Sequence, residues 1–354
     1  MSHIDALCSS ASAALGTRSA FSAVGLIGGA LLLALCGCTQ LKQAEAQKRA
    51  EHGQELLKQD QLEQALVEFE AAVAMEPSLA VAHSGMGVIY RRMGEYARAI
   101  ECFANALRHN PNSFDDSINL AQLYHFTKRL SDAVEAYLHA CDLRPGDFNA
   151  QLNLGVCYWE SGDLNQAAER YQKAVEIDPD SPHPYVNLGI VLDAQGKYYE
   201  AIEAYKRALE RDNHQPAILV NLAYTYLNQD RVKMAQLALE QALKLDPELP
   251  SAHEALGFCY FRSQDYPKAE EAYATALQYN PRLPNAHAFL GSINMLKFLA
   301  DPTDSRLRDR ALESWHRSLE LSPDQPKVRQ LIAKYQPKQT EPDSVLLSDT
   351  AQKH

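Results

Sequence analysis

Asn119, Asn153, Asn187 and Asn221 stand thirty-four residues apart, one in each of four consecutive segments. A carboxamide offers one acceptor and two donors, the complement of a peptide group. A row of them can hold an extended chain by its backbone without reading its side chains. At neighbouring positions of the same or adjoining segments lie Arg91, Arg92, His125, Phe126, Trp159, Tyr224, Phe258, Phe261 and Arg262. Aromatic and arginine side chains carry much of the energy at protein interfaces. The chemistry on offer is recognition of a protein or peptide, not bond making.

The reactive residue types point the same way. The seven cysteines include no pair at CxxC or zinc spacing. Cys157 and Cys259 recur at one place three segments apart, so the expectation for the interior cysteines is buried, inert thiols. His83, His253 and His287 also share one place, separated by thirty-four residues or its multiples. A metal needs convergent ligands, and this spacing favours packing instead. No Gly-x-Ser-x-Gly, Walker loop, His-Glu-x-x-His or paired-carboxylate cleft occurs. The expectation is no catalytic residue, no metal, no cofactor and no enzyme. With Lys+Arg at 34 and Asp+Glu at 45 the net charge is −11, and nucleic acid rewards clustered cations, so it is not an expected partner.

What positions these residues is a strict repeat. Segments begin at Ala46, Ala80, Phe114, Phe148, Pro182, Pro216, Pro250 and Pro284. Position 8 reads Gly53, Gly87, Ala121, Gly155, Gly189, Ala223, Gly257 and Gly291, and position 20 is alanine in the first seven. Position 24 carries the large wedge: Phe69, Phe103, Tyr137, Tyr171, Tyr205, Leu239 and Tyr273. Apolar positions 4, 7, 8 and 11, then 20, 24 and 27, each form one stripe at 100° per residue, so each segment is two amphipathic helices. Proline near position 32 ends the second helix, because it lacks the amide a helix interior needs. Such a pair cannot bury its apolar face alone and must stack on its neighbours.

These residues resemble the tetratricopeptide repeat over residues 46–325, as eight repeats. The resemblance implies an all-α, right-handed superhelical solenoid whose first helices line a concave groove. The stripe opposite the packing positions, which includes the asparagines, would face that groove. In the eighth repeat the alanine of position 20 arrives late, at Ala311, which places an eight-residue insertion near 300–310 that lengthens the turn. Trp315 then takes the wedge position, residues 326–335 read as a capping helix, and 336–354 as a disordered tail. The asparagine row is similar to the ladder in the superhelix of O-linked N-acetylglucosamine transferases; duplication alone would also produce it. The carboxylate clamp of chaperone-binding repeats needs lysine at position 5, and Ala50, Ser84, Ile118, Leu152, Val186, Val220, Glu254 and Ala288 stand there instead.

Upstream, Ala20–Cys36 is almost wholly apolar and follows Arg18. Seventeen residues suit a secretion signal better than a membrane span, although an uncleaved signal anchor is the alternative. Leu35-Cys36-Gly37-Cys38 resembles the bacterial lipobox, which implies removal of residues 1–37, acylation of Cys38 and a lipidated tether over 38–45. That tether would reach at most about 25 Å. Thr39, where enteric lipoproteins kept at the inner membrane have Asp, favours the outer membrane, facing the periplasm. The combination is similar in build to type IV pilus pilotins and to repeat lipoproteins of polysaccharide export. It implies a lipid-anchored scaffold binding a protein or extended peptide of the cell envelope. A pilotin-like secretin-assembly factor, a polysaccharide-export scaffold and an adaptor to a periplasmic protease are the specific alternatives.

Overall fold

The computed structural model describes residues 23–337, with side chains from residue 40. The start of the signal segment, the side chain of Cys38 and the tail beyond 337 lie outside the described residues. All regular structure among the described residues is helical, and the chain divides into two compact units, Met1–Asp178 and Pro179–His354. Unit 1 contains α1 (Ala23–Lys58), α2 (Leu62–Met75), α3 (Ala80–Arg92), α4 (Tyr96–His109), α5 (Phe114–Phe126), α6 (Leu130–Leu143), α7 (Phe148–Ser161) and α8 (Leu164–Ile177). Unit 2 contains α9 (Pro182–Ala194), α10 (Tyr198–Arg211), α11 (Pro216–Asn228), α12 (Val232–Leu245), α13 (Pro250–Arg262), α14 (Tyr266–Tyr279), α15 (Pro284–Ala300), α16 (Ser305–Leu321) and α17 (Pro326–Tyr335). Odd-numbered helices through α15 are the first helices of the repeats. Each unit is a tetratricopeptide solenoid.

The seam inside each repeat follows from the residues at positions 8, 20 and 24. Ala65, Ala99, Ala133, Ala167, Ala201, Ala235 and Ala269 are all fully buried, so the two helices approach backbone to backbone. The wedge ring then lies against the opposite glycine. A Cβ added at Gly155 would sit 2.6 Å from Cε1 of Tyr171, and one at Gly189 the same distance from Cε1 of Tyr205. Only hydrogen fits there. Apolar clusters lie between successive repeats: Phe69 with Ile89, Phe103 with Leu123, Tyr137 with Leu154, Tyr273 with Ile293.

Helix starts differ between the units. In unit 1, Ser113 and Asp147 cap α5 and α7 by accepting from the Asp116 and Ala150 amides. In unit 2 the first helices open with proline at N1, where the missing amide costs nothing. Position 4 closes the boundary between repeats. His83, His253 and His287 hydrogen-bond through Nε2 to the carbonyls of Pro77, Pro247 and Pro281 at 2.9, 2.8 and 3.0 Å, and Gln151 donates to Pro145 at 3.2 Å. Three histidines and a glutamine thus answer proline carbonyls in the turns that join one repeat to the next.

Two features differ from the sequence expectation. Helix α1 runs unbroken from Ala23 through Lys58, so the stretch read as a tether over 38–45 is helical. Thr39–Glu45 contains neither glycine nor proline and is rich in good helix formers, which lets the first repeat's helix continue upstream. At 1.5 Å rise per residue it advances about 10 Å over those seven residues, well short of the extended reach. The second difference lies in the eighth repeat, whose insertion mostly extends helices rather than the turn. Compared with the seventh repeat, α15 gains four residues, α16 three, and the intervening turn one. Phe298, on the extra turn of α15, packs with Met295 of the same helix against Ala311 and Trp315. Trp315 donates from Nε1 to the Ala288 carbonyl at 3.0 Å, and Val328 and Ile332 of α17 cover the same cluster.

Candidate functional site

The asparagines fall on α5, α7, α9 and α11, all half-buried. In unit 1, Asn119 is already engaged: Arg91 Nη1 donates to its Oδ1 at 2.5 Å. Among the described residues the side-chain amides of Asn153, Asn187 and Asn221 make no hydrogen bond to protein. The row is therefore not uniform. Its first rung is tied to the preceding repeat, and the other three keep their full donor and acceptor capacity.

The aromatic candidates also divide. Trp159 is 36% exposed and Tyr224 40%. Phe126 is 64% exposed, with one face 4.7 Å from the Tyr96 ring. Phe258 and Phe261 instead belong to a packed group: both lie against Phe289, at 5.3 and 5.1 Å, and Phe261 also meets Tyr266 at 5.6 Å. They build the wall of unit 2 and offer only part of their surface to a ligand.

Arg92 and Arg262 have a structural task that spacing alone does not reveal. Asp60, Lys128, Asp230 and Gln264 have positive φ of 60–62°, and all occupy position 15, the residue after the first helix has turned. Gly94, Gly162 and Gly196 occupy the same place with φ of 75–85°. A non-glycine residue there costs on the order of 1 kcal/mol. Three of the four carry a charge that reaches position 13 of the next repeat: Asp60 to Arg92 at 2.8 Å, Lys128 to Glu160 at 3.0 Å, Asp230 to Arg262 at 2.6 Å. His125 adds a second contact to Glu160 at 3.2 Å. The Lys128 and His125 contacts hold the Glu160 carboxyl below its ordinary value. Arg92 and Arg262 are thus clasps between repeats. The alternation of glycine and charge at position 15 was the signal that could have exposed them.

The interior cysteines are packed rather than presented. Cys102, Cys141, Cys157 and Cys259 are free and buried. Burial pushes the first two thiols up to about 11 and the last two to about 12, so none is a ready thiolate. Among the described residues no three His, Cys, Asp or Glu side chains converge as a metal site. Among the residues whose side chains are described, no helix is long and apolar enough to cross a membrane.

The fold recurs in solved structures. The C-terminal part of a tetratricopeptide-repeat protein from Cytophaga hutchinsonii is 18% identical, with a TM-score of 0.56 over 67% of this chain and 97% of that one. A chain of the APC/C hetero-tetramer Cut9-Hcn1 is 17% identical, with a TM-score of 0.54 over 78% of this chain and 53% of that one. The MamA protein is 21% identical over 48% of this chain and 92% of its own, with a TM-score of 0.46. No curated protein sequence matches the chain. The family model of the cilia and flagella-associated protein 70 C-terminal domain matches residues 9–289. The repeat, the glycine–aromatic seam and this match over most of the sequence agree: the chain belongs to that tetratricopeptide-repeat family.

Proposed function

We propose that the chain is a non-enzymatic scaffold that binds an extended protein segment along its first helices and is held at a bacterial envelope by lipid on Cys38. The observation that carries the binding reading is that each unit has unengaged amides and an exposed ring on its first helices: Asn153 and Trp159 in unit 1, and Asn187, Asn221 and Tyr224 in unit 2. Amides with both donor and acceptor free match a peptide backbone, and partly exposed aromatics supply apolar contact. The anchor rests on Leu35-Cys36-Gly37-Cys38 and the apolar segment before it. Multiple acyl chains would make attachment stable. The family's name refers to cilia and flagella; this motif favours an envelope setting for the present chain, at the outer membrane and facing the periplasm.

Two measurements test the reading. Labelled palmitate should appear on the wild type and vanish from Cys38→Ser, whose repeats remain folded; label on Cys36 alone overturns the assignment. A photo-crosslinker at Asn221, in detergent-solubilised envelopes, should capture a discrete partner. A secretin subunit would select the pilotin-like role, an export porin the polysaccharide role, and a protease the adaptor role. Failure of crosslinking at Asn221 with capture at an outward position, such as Tyr199, which is 79% exposed, would move the binding face elsewhere.

A further inference from the structure

An apolar cavity of about 310 Å³ lies between the ends of α10 and α12 in unit 2. Leu209 of α10, Asn213 just beyond that helix, Leu219 of α11, and Gln241, Lys244 and Leu245 of α12 line it. The repeat explains why it is there. In the second, fifth and seventh repeats, positions 4 and 30 are planar groups that stack: His83 with His109 at 5.9 Å, Arg211 over Tyr185 at 4.6 Å, and His253 with Tyr279 at 5.7 Å. In the sixth repeat these positions hold Leu219 and Leu245, and the preceding turn has Asn213 in place of proline. Two leucines fill less of the space than two stacked planes.

The gap has an apolar floor and a polar rim. Asn213, Gln241 and Lys244 are exposed, and Leu245 is 41% exposed, so the cavity is open to solvent. Roughly 150 Å³ is enough to hold a benzene ring. This cavity therefore has room for an aromatic side chain, and its rim suits one with a polar tip, such as tyrosine.

That side chain stands on the same helix. Tyr199, in the first turn of α10, is 79% exposed. Leu209 lies ten residues further on, about 15 Å along the axis, so Tyr199 does not reach the cavity of its own chain. A second copy running antiparallel along α10 brings it there. With a two-fold axis at the level of Ala204 and Tyr205, Tyr199 of each copy meets the Leu209–Glu210 end of the other. The same register sets Glu203 of each copy opposite Lys206 of the other. Tyr199, Glu203, Lys206 and Glu210 are all exposed and fall on one stripe about 60° wide. Among the described residues Lys206 has no ion pair, and Glu203 has only Arg207 at 3.5 Å.

We propose that two copies of this chain pair antiparallel along α10, each inserting Tyr199 into the other's cavity. The same patch serves on both copies, so the contact closes on itself as a dimer. A single helix pair with two inserted rings is smaller than a standard stable interface, which places the association in the micromolar range. Second helices carry the contact, so the first helices of unit 2 stay free, and the inference does not depend on the groove reading.

The test is sedimentation velocity of the full-length chain in detergent, from nanomolar to high micromolar concentration. Wild type should pass from monomer to dimer. Tyr199→Ala should weaken pairing at least tenfold, and so should Leu245→Trp, which fills the cavity and leaves Tyr199 in place. Lys206→Glu should weaken it several-fold by setting carboxylates opposite one another. Combining Glu203→Lys with Lys206→Glu should restore it, a rescue that damage to the fold would not give. A photo-crosslinker at Tyr199 of the purified chain should yield a dimer joined to the 209–245 segment. Monomeric wild type throughout overturns the inference, as does a dimer that survives either Tyr199→Ala or Leu245→Trp. A double reversal no better than Lys206→Glu alone, or a crosslink outside 209–245, overturns the antiparallel register and the insertion with it.

Discussion

Unit 1 pairs polar groups on and just after its first helices with one another: Arg91 with Asn119, Ser84 with Asp116, and both His125 and Lys128 with Glu160. Unit 2 pairs Asn228 with Asp193 in the same way, but leaves Asn187 and Asn221 without such a partner, as unit 1 leaves Asn153, and Glu254 keeps a buried oxygen unpaired. Both units use the same packing seam, with Gly155 against Tyr171 in one and Gly189 against Tyr205 in the other. The difference teaches how a repeat protein acquires a site. A repeat position fixes where a side chain stands, and the residue contributed by the adjacent repeat decides whether it is engaged. Asn119 lost its freedom because Arg91 stands twenty-eight residues earlier; Trp159 and Asp193, the next residues in that position after His125, place no guanidinium there for Asn187 or Asn221.

The largest effects should come from the seam and should be equal in the two units. Gly155→Leu and Gly189→Leu each force a side chain into a ring, and overpacking of this kind costs about 3 kcal/mol. Chemical denaturation followed by unit-resolved hydrogen exchange should show each unit weakened to a similar degree. A much smaller loss in either one would mean that its seam can open, and the shared-seam half of the comparison would break.

Next in size are the open amides. Asn187→Ala with Asn221→Ala should weaken binding of the envelope partner by about 1–3 kcal/mol per lost pair of hydrogen bonds, through the backbone groups left unpaired. The melting temperature should hardly change, since these amides bond to nothing in the protein. Asn119→Ala should do less to binding, because its acceptor already serves Arg91. Equal binding losses for the two variants would erase the distinction between an engaged and a free rung.

Acid should separate the units by sign. Glu160 in unit 1 has its carboxyl held below the ordinary 4.5 by Lys128 and His125. Its stabilisation is complete above that value and fades as pH falls through the lower folded value. Glu254 in unit 2 is raised by burial, so the penalty is present above its folded value and is relieved as pH falls toward 4.5. Exchange protection at α7 should therefore drop on acidification below about pH 4.5, while α13 gains slightly on the way down to it, each by under about 1 kcal/mol. Lys128→Ala should flatten the first trend and Glu254→Gln the second. Parallel responses would show that the two carboxylates do not differ as their surroundings indicate.

Much of the fold could be read directly from residue types. A thirty-four-residue period, small residues facing a ring, and prolines at helix ends are local and repeated, so each repeat confirms the last. The continuous α1 was less legible because the resemblance set its start at Ala46, although Thr39–Glu45 is a good helix sequence. The groove was legible as a face and illegible in its partners. Arg92 and Arg262 look like ligand contacts from their spacing, yet each answers a left-handed residue in the preceding repeat. The buried, unpaired oxygen of Glu254 is set by how neighbouring helices pack, and no single repeat position encodes it.

The smallest predicted effect tests those clasps. Asp60→Gly in unit 1 and Asp230→Gly in unit 2 each remove a non-glycine residue from φ of 60° and delete its ion pair with Arg92 or Arg262. Relief of the left-handed conformation favours glycine by about 1 kcal/mol. Against it stand the greater freedom of glycine in the unfolded chain, about 0.4–1 kcal/mol, and a surface pair worth about 0.2–1 kcal/mol. The three contributions nearly cancel, so each variant should lie within about 1 kcal/mol of wild type and the two should match. Partner binding should be unchanged, because Arg92 and Arg262 act between repeats. If Asp230→Gly weakens binding while Asp60→Gly does not, Arg262 and the Phe258 ring it lies over belong to the binding face, and the clasp in unit 2 is part of the site.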